Sequence, residues 1–170
     1  MAQFFTLHPD NPQERLVRQA ADIIRAGGVV VLPTDSCYAL VCALGDKKAM
    51  ERIIAIRQLD FRHYFTMLCR NLSELGLYAK VDNSQFRLLK AATPGSYTFI
   101  LPATKEVPSR TLHPKRKTIG LRVPDHVIAQ AVLSEVGEAL LSCTLMLPDD
   151  EEPLTDAYDI RDRLEHHVDA

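Results

Sequence analysis

Hydroxyl and carboxyl side chains follow the first apolar run of the chain. The run Val29–Leu32 is typical of a buried strand, and Pro33-Thr34-Asp35-Ser36 comes directly after it. Loops at strand ends commonly hold ligands in α/β proteins, and Thr34 and Ser36 offer hydroxyls there while Asp35 offers a carboxylate. The same residues are also typical of a plain turn closed by an aspartate hydrogen bond. The pattern alone favours the plain turn.

Positively charged side chains that suit phosphate or carboxylate lie in two further regions. Arg57 ends a predicted helix, and Arg62 and His63 follow it. A guanidinium donates two parallel hydrogen bonds to an anion, although cations at a helix end also complement the helix dipole. The second region runs from Lys105 to Arg122. It either contacts phosphates or forms a solvated loop, and it lacks aromatic residues for stacking on bases. Its six basic residues are Lys105, Arg110, Lys115, Arg116, Lys117 and Arg122.

Two hydroxyl residues alternate along the last predicted strand. Ser142 and Thr144 are expected to face the same side, where they either bind ligand oxygens or hydrogen-bond the backbone. The sequence has neither a Gly-x-x-x-x-Gly-Lys phosphate loop nor a Gly-x-Gly-x-x-Gly fingerprint. A nucleotide site in this chain must therefore be built from side chains and strand ends.

Composition narrows the class of protein. Hydrophobic residues make up 46% and charged residues 25%, as in globular proteins, and no apolar run approaches the ~18 residues of a membrane helix. The N-terminus lacks the features of a signal peptide, so we expect a cytoplasmic protein without membrane association. The four cysteines form no Cys-x-x-Cys pair; we expect reduced core residues and no metal site. A thiol- or metal-dependent enzyme built on Cys37 and Cys42 is a weaker hypothesis.

The net charge of −2 is unevenly distributed. Residues 149–170 hold nine acids and two arginines, which leaves 18 basic and 13 acidic residues in the rest of the chain, a net charge of +5. This asymmetry is typical either of an anion-binding body with an acidic appendage or of a solvated helix after a loop.

Strands alternate with amphipathic helices along residues 1–170, which predicts one domain with an α/β layer structure. Asn11 and Pro12 are expected to begin the first helix, and Gly27-Gly28 to end it. Asp46 and Asp82 are expected to cap two further helices, the second with Phe86 and Leu89 inward. Further helices are expected from Pro124-Asp125 to about Gly137 and over Ala157–His166. Strands are expected at Val29–Leu32, Tyr38–Leu44, Tyr64–Cys69, Tyr97–Leu101, Thr118–Val123 and Ala139–Met146.

Several segments, taken in order, resemble the YrdC/YciO family, and its YciO branch more than its synthases. They are Gly27-Gly28-Val29-Val30-Val31-Leu32-Pro33-Thr34-Asp35-Ser36, Tyr38-Ala39-Leu40, Ile56-Arg57-Gln58-Leu59, Thr93-Pro94-Gly95-Ser96-Tyr97-Thr98-Phe99-Ile100-Leu101, Thr118-Ile119-Gly120-Leu121-Arg122-Val123-Pro124 and Leu141-Ser142-Cys143-Thr144. The resemblance implies a twisted, open, mixed sheet with flanking helices around a positively lined cavity. It also implies synthesis of threonylcarbamoyl-adenylate from threonine, bicarbonate and ATP with magnesium, for tRNA modification.

The resemblance assigns roles by position. Thr34 is expected to line the threonine and carbamate end of the cavity, and Arg57 to face phosphates where the synthases have the lysine of a Lys-x-Arg pair. Thr118 and Arg122 are expected to reach the nucleotide, and Ser142 matches the serine of a Ser-x-Asn motif. Thr34, Arg57 and Ser142 are the catalytic candidates; the binding candidates add His63, Thr118, Arg122 and Thr144.

The chain departs from the family pattern in three residues and in length. Leu59 replaces the arginine of Lys-x-Arg, Arg57 replaces its lysine, and Thr144 replaces the asparagine of Ser-x-Asn. The family's strands beyond Val168-Asp169 are absent from this sequence, which predicts an open sheet edge and a homodimer. Two hypotheses therefore stand: a slow or altered nucleotide-binding synthase, and a non-catalytic protein that binds double-stranded RNA or tRNA through the same basic cavity.

Overall fold

The structure is a computed structural model that describes residues 1–60 and 65–170. Within these residues, helices and strands alternate along most of the chain. The helices are α1 (Glu14–Arg25), α2 (Lys47–Arg57), α3 (Leu72–Tyr78), α4 (Asn83–Ala92), α5 (Val127–Val136) and α6 (Ala157–Leu164), with a 3₁₀ turn at Ser109–Thr111. The strands are β1 (Val30–Pro33), β2 (Tyr38–Ala43), β3 (Thr66–Leu68), β4 (Phe99–Pro102), β5 (Thr118–Arg122) and β6 (Leu140–Thr144).

The six strands form one mixed, open sheet in the order β1-β2-β6-β3-β5-β4. The pair β3–β5 is parallel, and the other four neighbouring pairs are antiparallel. An α/β fold with a mixed open sheet is the class that the sequence predicts, and the structure confirms it.

The two faces of the sheet are covered differently. On one face, α1 and α5 pack over β1 and β2 and bury an apolar cluster that includes Val17, Ile24, Val41, Val132 and Leu133. The opposite face buries a larger cluster, to which α2, α3 and α4 contribute. The first face reaches solvent along β4, where buried and exposed residues alternate. Part of the sheet surface is therefore open beside a well-packed core.

Most helix ends follow the expected local chemistry. Asp46 accepts a hydrogen bond from Ala49 N at 3.0 Å, and Asp82 forms a reciprocal capping box with Gln85. Gly137 ends α5 with φ of 84°, a left-handed conformation that glycine adopts without steric cost. These caps confirm the expected ends of three helices.

Two expected helix starts are wrong. The first helix begins at Glu14, because the His8 ring accepts hydrogen bonds from the backbone of Asp10 and Asn11 and holds these residues in a turn. The helix expected from Pro124-Asp125 begins at Val127, with the His126 side chain as its cap. In both places a histidine ring competes with the residues that the sequence pattern favours as caps.

Two further differences concern the segment between β3 and β4. Phe86 is 47% exposed, so of the two residues expected to face inward on α4 only Leu89 is buried. Helix α3 was not expected; Asn71 caps it by accepting from Glu74 N at 2.9 Å. Tyr64, the expected first residue of the third strand, lies outside the described residues.

The outer edge of β1 is hydrogen-bonded to the last residues of the chain. Asp169 N donates to Val29 O at 2.9 Å, and Val31 N donates to Ala170 O at 2.8 Å. The homodimer expected from an open edge stays a prediction, which gel filtration at several protein concentrations tests. Helices long and apolar enough to cross a membrane are not found in the part of the chain that the structure describes.

Candidate functional site

A cavity of about 140 Å³ opens on the exposed part of the first sheet face. The turn between β1 and β2 borders it, and β6, β3 and β5 form its floor. Its lining combines two guanidinium groups with five hydroxyls: Thr34, Cys37, Ala39, Arg57, Thr66, Leu68, Thr98, Arg122, Ser142, Cys143 and Thr144. Cations and hydroxyls converging in a small cavity form a site suited to an anionic oxygen-rich ligand.

Arg122 connects β5 to the turn after β1. Its Nη2 donates to Asp35 Oδ1 and, at 3.3 Å, to Thr34 Oγ1, while Asp35 Oδ2 accepts from Asp125 N at 3.0 Å. The Thr34 hydroxyl donates to Cys37 O at 2.6 Å, which closes the turn. The turn is therefore closed by Thr34 and not by the expected aspartate hydrogen bond, because Asp35 accepts from Arg122 and Asp125 N instead. Thr34 also lines the cavity.

The Arg122 side chain has a buried nitrogen, Nε, without a hydrogen-bond partner among the described residues. A buried N–H without an acceptor is costly, because it loses water without gaining a protein partner. Arg122 therefore combines a structural ion pair with one unsatisfied donor that has almost no exposed surface.

Asp35 makes the stability of this wall pH-dependent. Burial acts to raise the pKa of Asp35, but the hydrogen bond from Asp125 N and the Arg122 charge outweigh it and hold the pKa below the ordinary value of 3.8. A carboxyl whose pKa is lower in the folded state stabilises the fold above the unfolded pKa, and this stabilisation is lost as pH falls through the folded pKa.

We expect the free energy of unfolding to fall on acidification below about pH 3.8, and less steeply in Asp35→Asn. Urea denaturation between pH 2.5 and 7 measures this. Asp10→Asn, an exposed aspartate in the N-terminal turn, is the control and should retain the wild-type slope. An Asp35→Asn profile as steep as that of the wild type would contradict the role of the ion pair.

Arg57 is the last residue of α2, and two hydrogen bonds restrain its guanidinium. Its Nε donates to Met146 O at 3.0 Å, and its Nη1 donates to Cys143 Sγ at 2.8 Å. Burial raises the pKa of the Cys143 thiol despite the opposing effect of Arg57, so Sγ accepts as a neutral thiol. These two hydrogen bonds fix the direction of the guanidinium. Arg57 and Cys143 both belong to the cavity lining.

The hydroxyls of β6 differ in exposure. Ser142 is 5% exposed, and its Oγ donates to Thr66 O at 3.0 Å, so its oxygen keeps lone pairs for an incoming donor. Thr144 is exposed and lies on the same face, as the alternation in the sequence predicts. Ser142 belongs to the cavity floor, while Thr144 is accessible at its margin.

The structure brings five of the seven predicted site residues together: Thr34, Arg57, Arg122, Ser142 and Thr144. Thr118 lies on the sheet face that carries the cavity, two residues before Gly120, which pairs with Thr66. It is not among the residues that line the cavity. His63 lies outside the described residues. Thr66 and Thr98 line the cavity without having been predicted as site residues, and so does Cys37, which the sequence suggested only for the weaker thiol- or metal-dependent hypothesis. The sequence feature that could have identified Thr66 as a site residue is a single threonine within an apolar strand.

Sequence comparison identifies the family. A family model for Sua5, YciO and YrdC proteins, described as "Telomere recombination", matches residues 22–170. The chain belongs to the Sua5/YciO/YrdC family. A YciO protein of Escherichia coli K12 is 60% identical over 169 residues, which cover 99% of this chain and 82% of that protein. A threonylcarbamoyl-AMP synthase of Chromobacterium violaceum is 33% identical over 135 residues, 79% of this chain and 69% of the synthase.

Solved structures of this family agree with the fold. The crystal structure of E. coli YciO has a TM-score of 0.95 at 60% identity and covers 99% of this chain and 82% of its own. P. abyssi Sua5 complexed with L-threonine has a TM-score of 0.85 at 23% identity and covers 94% of this chain and 46% of its own. The YciO resemblance in the sequence is therefore confirmed, as is a relation to threonylcarbamoyl-AMP synthases.

Proposed function

We propose that this chain is a nucleotide-binding enzyme related to threonylcarbamoyl-AMP synthase, with slow or altered activity. The observation that carries the proposal is the small hydroxyl-lined cavity with two restrained guanidinium groups, Arg57 and Arg122. The substrates would be threonine, bicarbonate and MgATP. The relation to the Chromobacterium violaceum synthase supports this choice of substrates.

The reaction needs positioning and neutralisation of charge more than covalent chemistry from the protein. A carbamate oxygen of N-carboxythreonine attacks the α-phosphorus of ATP, the bond from that phosphorus to the bridging oxygen breaks, and pyrophosphate leaves with the electron pair. In-line attack requires the carbamate and triphosphate to be held together while cations offset the developing charge. In this proposal Arg57 faces phosphate oxygens, Thr34 contacts the carbamate end, and Ser142 offers its hydroxyl oxygen to the ligand from the cavity floor. Magnesium enters with the triphosphate.

The direct test is product formation. Purified protein is incubated with ATP, magnesium, bicarbonate and threonine, and threonylcarbamoyl-adenylate and pyrophosphate are quantified beside a family synthase. Product that requires threonine supports the proposal. Absence of both product and ATP binding would overturn it.

Arg57→Ala is expected to weaken ATP binding about 10- to 100-fold, the range for losing a hydrogen bond to a charged group of ~1.5–3 kcal/mol. Arg57→Lys should fall between, because lysine keeps the charge but not the planar fork that Met146 O and Cys143 Sγ restrain. Isothermal titration calorimetry measures the affinities. Arg87→Ala, on the exposed side of α4, is the control, and equal affinities of the two alanine variants would contradict the assignment.

Binding of double-stranded RNA or tRNA is the second candidate function. The observation that favours it is a run of exposed cations, for which no ion pair is found among the described residues: Lys105, Arg110, Lys115, Arg116 and Lys117. Phosphate contacts of this kind make affinity fall steeply with salt. A duplex-RNA gel shift at low salt that Lys115→Ala/Arg116→Ala weakens would support it, and absence of any shift would exclude it.

A further inference from the structure

Among the described residues, Arg57 is the cation of the cavity that has no carboxylate partner. Arg122, the other guanidinium of the lining, forms an ion pair with Asp35. No such pair is found for Arg57 in the described part of the chain, where its acceptors are Met146 O and the neutral Cys143 thiol. A cation that no carboxylate neutralises attracts an anion strongly inside a cavity, so the position of Arg57 matters for binding.

The acceptors that hold this guanidinium belong to a rigid part of the sheet. Cys143 pairs with Leu40 across β6 and β2, and it is 4% exposed in the larger apolar cluster. Leu145 N donates to a β2 carbonyl at 2.9 Å, which holds the backbone just before Met146. A long side chain on the last residue of a helix otherwise samples many rotamers, and ordering it when a ligand binds costs free energy. Acceptors fixed in the sheet order the guanidinium before the ligand arrives.

The thiol orients Arg57 without neutralising it. Burial raises the pKa of Cys143, so Sγ stays a neutral and weak acceptor. A carboxylate in its place would form an ion pair, as Asp35 does with Arg122, and would lower the positive charge that the cavity presents to an anion. Cys143 therefore fixes the direction of one N–H group while the full charge of Arg57 remains.

We propose that Cys143 is a positioning residue for Arg57, whose guanidinium its sulfur holds in the direction that binds phosphate oxygens. This inference rests on the proposed function, because it takes ATP as the ligand. Cys143 acts through Arg57 and makes no contact with ATP itself. Because Leu59 packs against the apolar core, the second position of the Lys-x-Arg pair cannot compensate for a misplaced Arg57.

Two substitutions of Cys143 separate positioning from packing. Cys143→Val keeps apolar volume in the core and removes the acceptor, whereas Cys143→Ser keeps an acceptor and makes the position polar. Cys143→Val should weaken ATP binding about 3- to 10-fold in calorimetry, the range for ordering one flexible side chain on binding. Cys143→Ser should bind ATP as the wild type does. A packing role predicts the opposite order, because valine disturbs an apolar core less than serine does, and urea denaturation measures stability separately.

The double variant Arg57→Ala/Cys143→Val tests whether Cys143 acts through Arg57. Its ATP affinity should equal that of Arg57→Ala, because no guanidinium remains to be positioned. Cys69→Val is the matched control, since Cys69 is a buried thiol of the same apolar cluster and is not among the residues that line the cavity. Its ATP affinity should equal that of the wild type.

Wild-type ATP affinity in Cys143→Val would overturn the positioning role alone. A further loss of affinity in the double variant, relative to Arg57→Ala, would also overturn it, because Cys143 would then contact the ligand directly. Equal weakening by Cys69→Val and Cys143→Val would assign the effect to core packing. Failure of the wild type to bind ATP would overturn the proposed function together with this inference.

Discussion

Arg122→Ala is expected to abolish measurable ATP binding and to lower the free energy of unfolding by about 3 kcal/mol. The Arg122 and Asp35 side chains are 11% and 12% exposed, so alanine leaves a buried carboxylate without its cation. Loss of one partner of a buried ion pair typically costs ~3–5 kcal/mol. Asp35 keeps its hydrogen bond from Asp125 N, which places the expected cost at the lower end of that range. Urea denaturation and calorimetry measure the two effects.

The double variant Asp35→Asn/Arg122→Ala separates stability from binding. It removes the unpaired charge, so its unfolding free energy should lie above that of Arg122→Ala, while ATP binding remains lost. Recovery of both properties would mean that Arg122 acts on the ligand only by holding the turn. An Arg122→Ala variant with wild-type stability and ATP affinity would contradict the importance of this arginine in either role.

The sequence predicts most of the fold because its strongest signals are local. Apolar runs and helical periodicity locate the strands and most helices, and Asp46 and Asp82 act as caps because they lie within a turn of the N–H groups that they accept from. The starts expected for α1 and α5 are wrong because the rings of His8 and His126 accept hydrogen bonds from nearby backbone N–H groups. Histidine is too rarely a cap for sequence patterns to favour it.

Predicting the cavity from the sequence is harder, because its parts come from distant strands. Thr34 and Arg122 are 88 residues apart, and the hydrogen bond between them depends on the sheet order. The ordered resemblance to the family identifies both residues, since it compares whole segments. It does not identify Cys143 as an acceptor for Arg57, because side-chain pairing across a fold leaves no local pattern.

Leu59 shows why one departure from the family is not reversible by a single substitution. Gln58 ends α2 in a left-handed conformation with φ of 52°, and Leu59 then packs against the apolar core. An arginine at this position would have to leave the core before it reached the cavity. Leu59→Arg therefore combines a new cation with lost packing, and its effect on activity would not report on the cation alone.

Thr144 offers a cleaner reversal, and Thr144→Asn is expected to raise threonylcarbamoyl-adenylate synthesis about 10- to 100-fold. Thr144 is exposed at the cavity margin, so asparagine fits without repacking and adds an amide that both donates and accepts. Loss of a preorganised contact of this kind typically lowers the rate by ~10²–10³. A contact added by one substitution is not oriented by neighbouring side chains, so the expected gain is smaller. Thr144→Val, which keeps the shape and removes the hydroxyl, is the control. Equal rates for the two variants would mean that this position does not limit the reaction, and that Leu59 or Arg57 does.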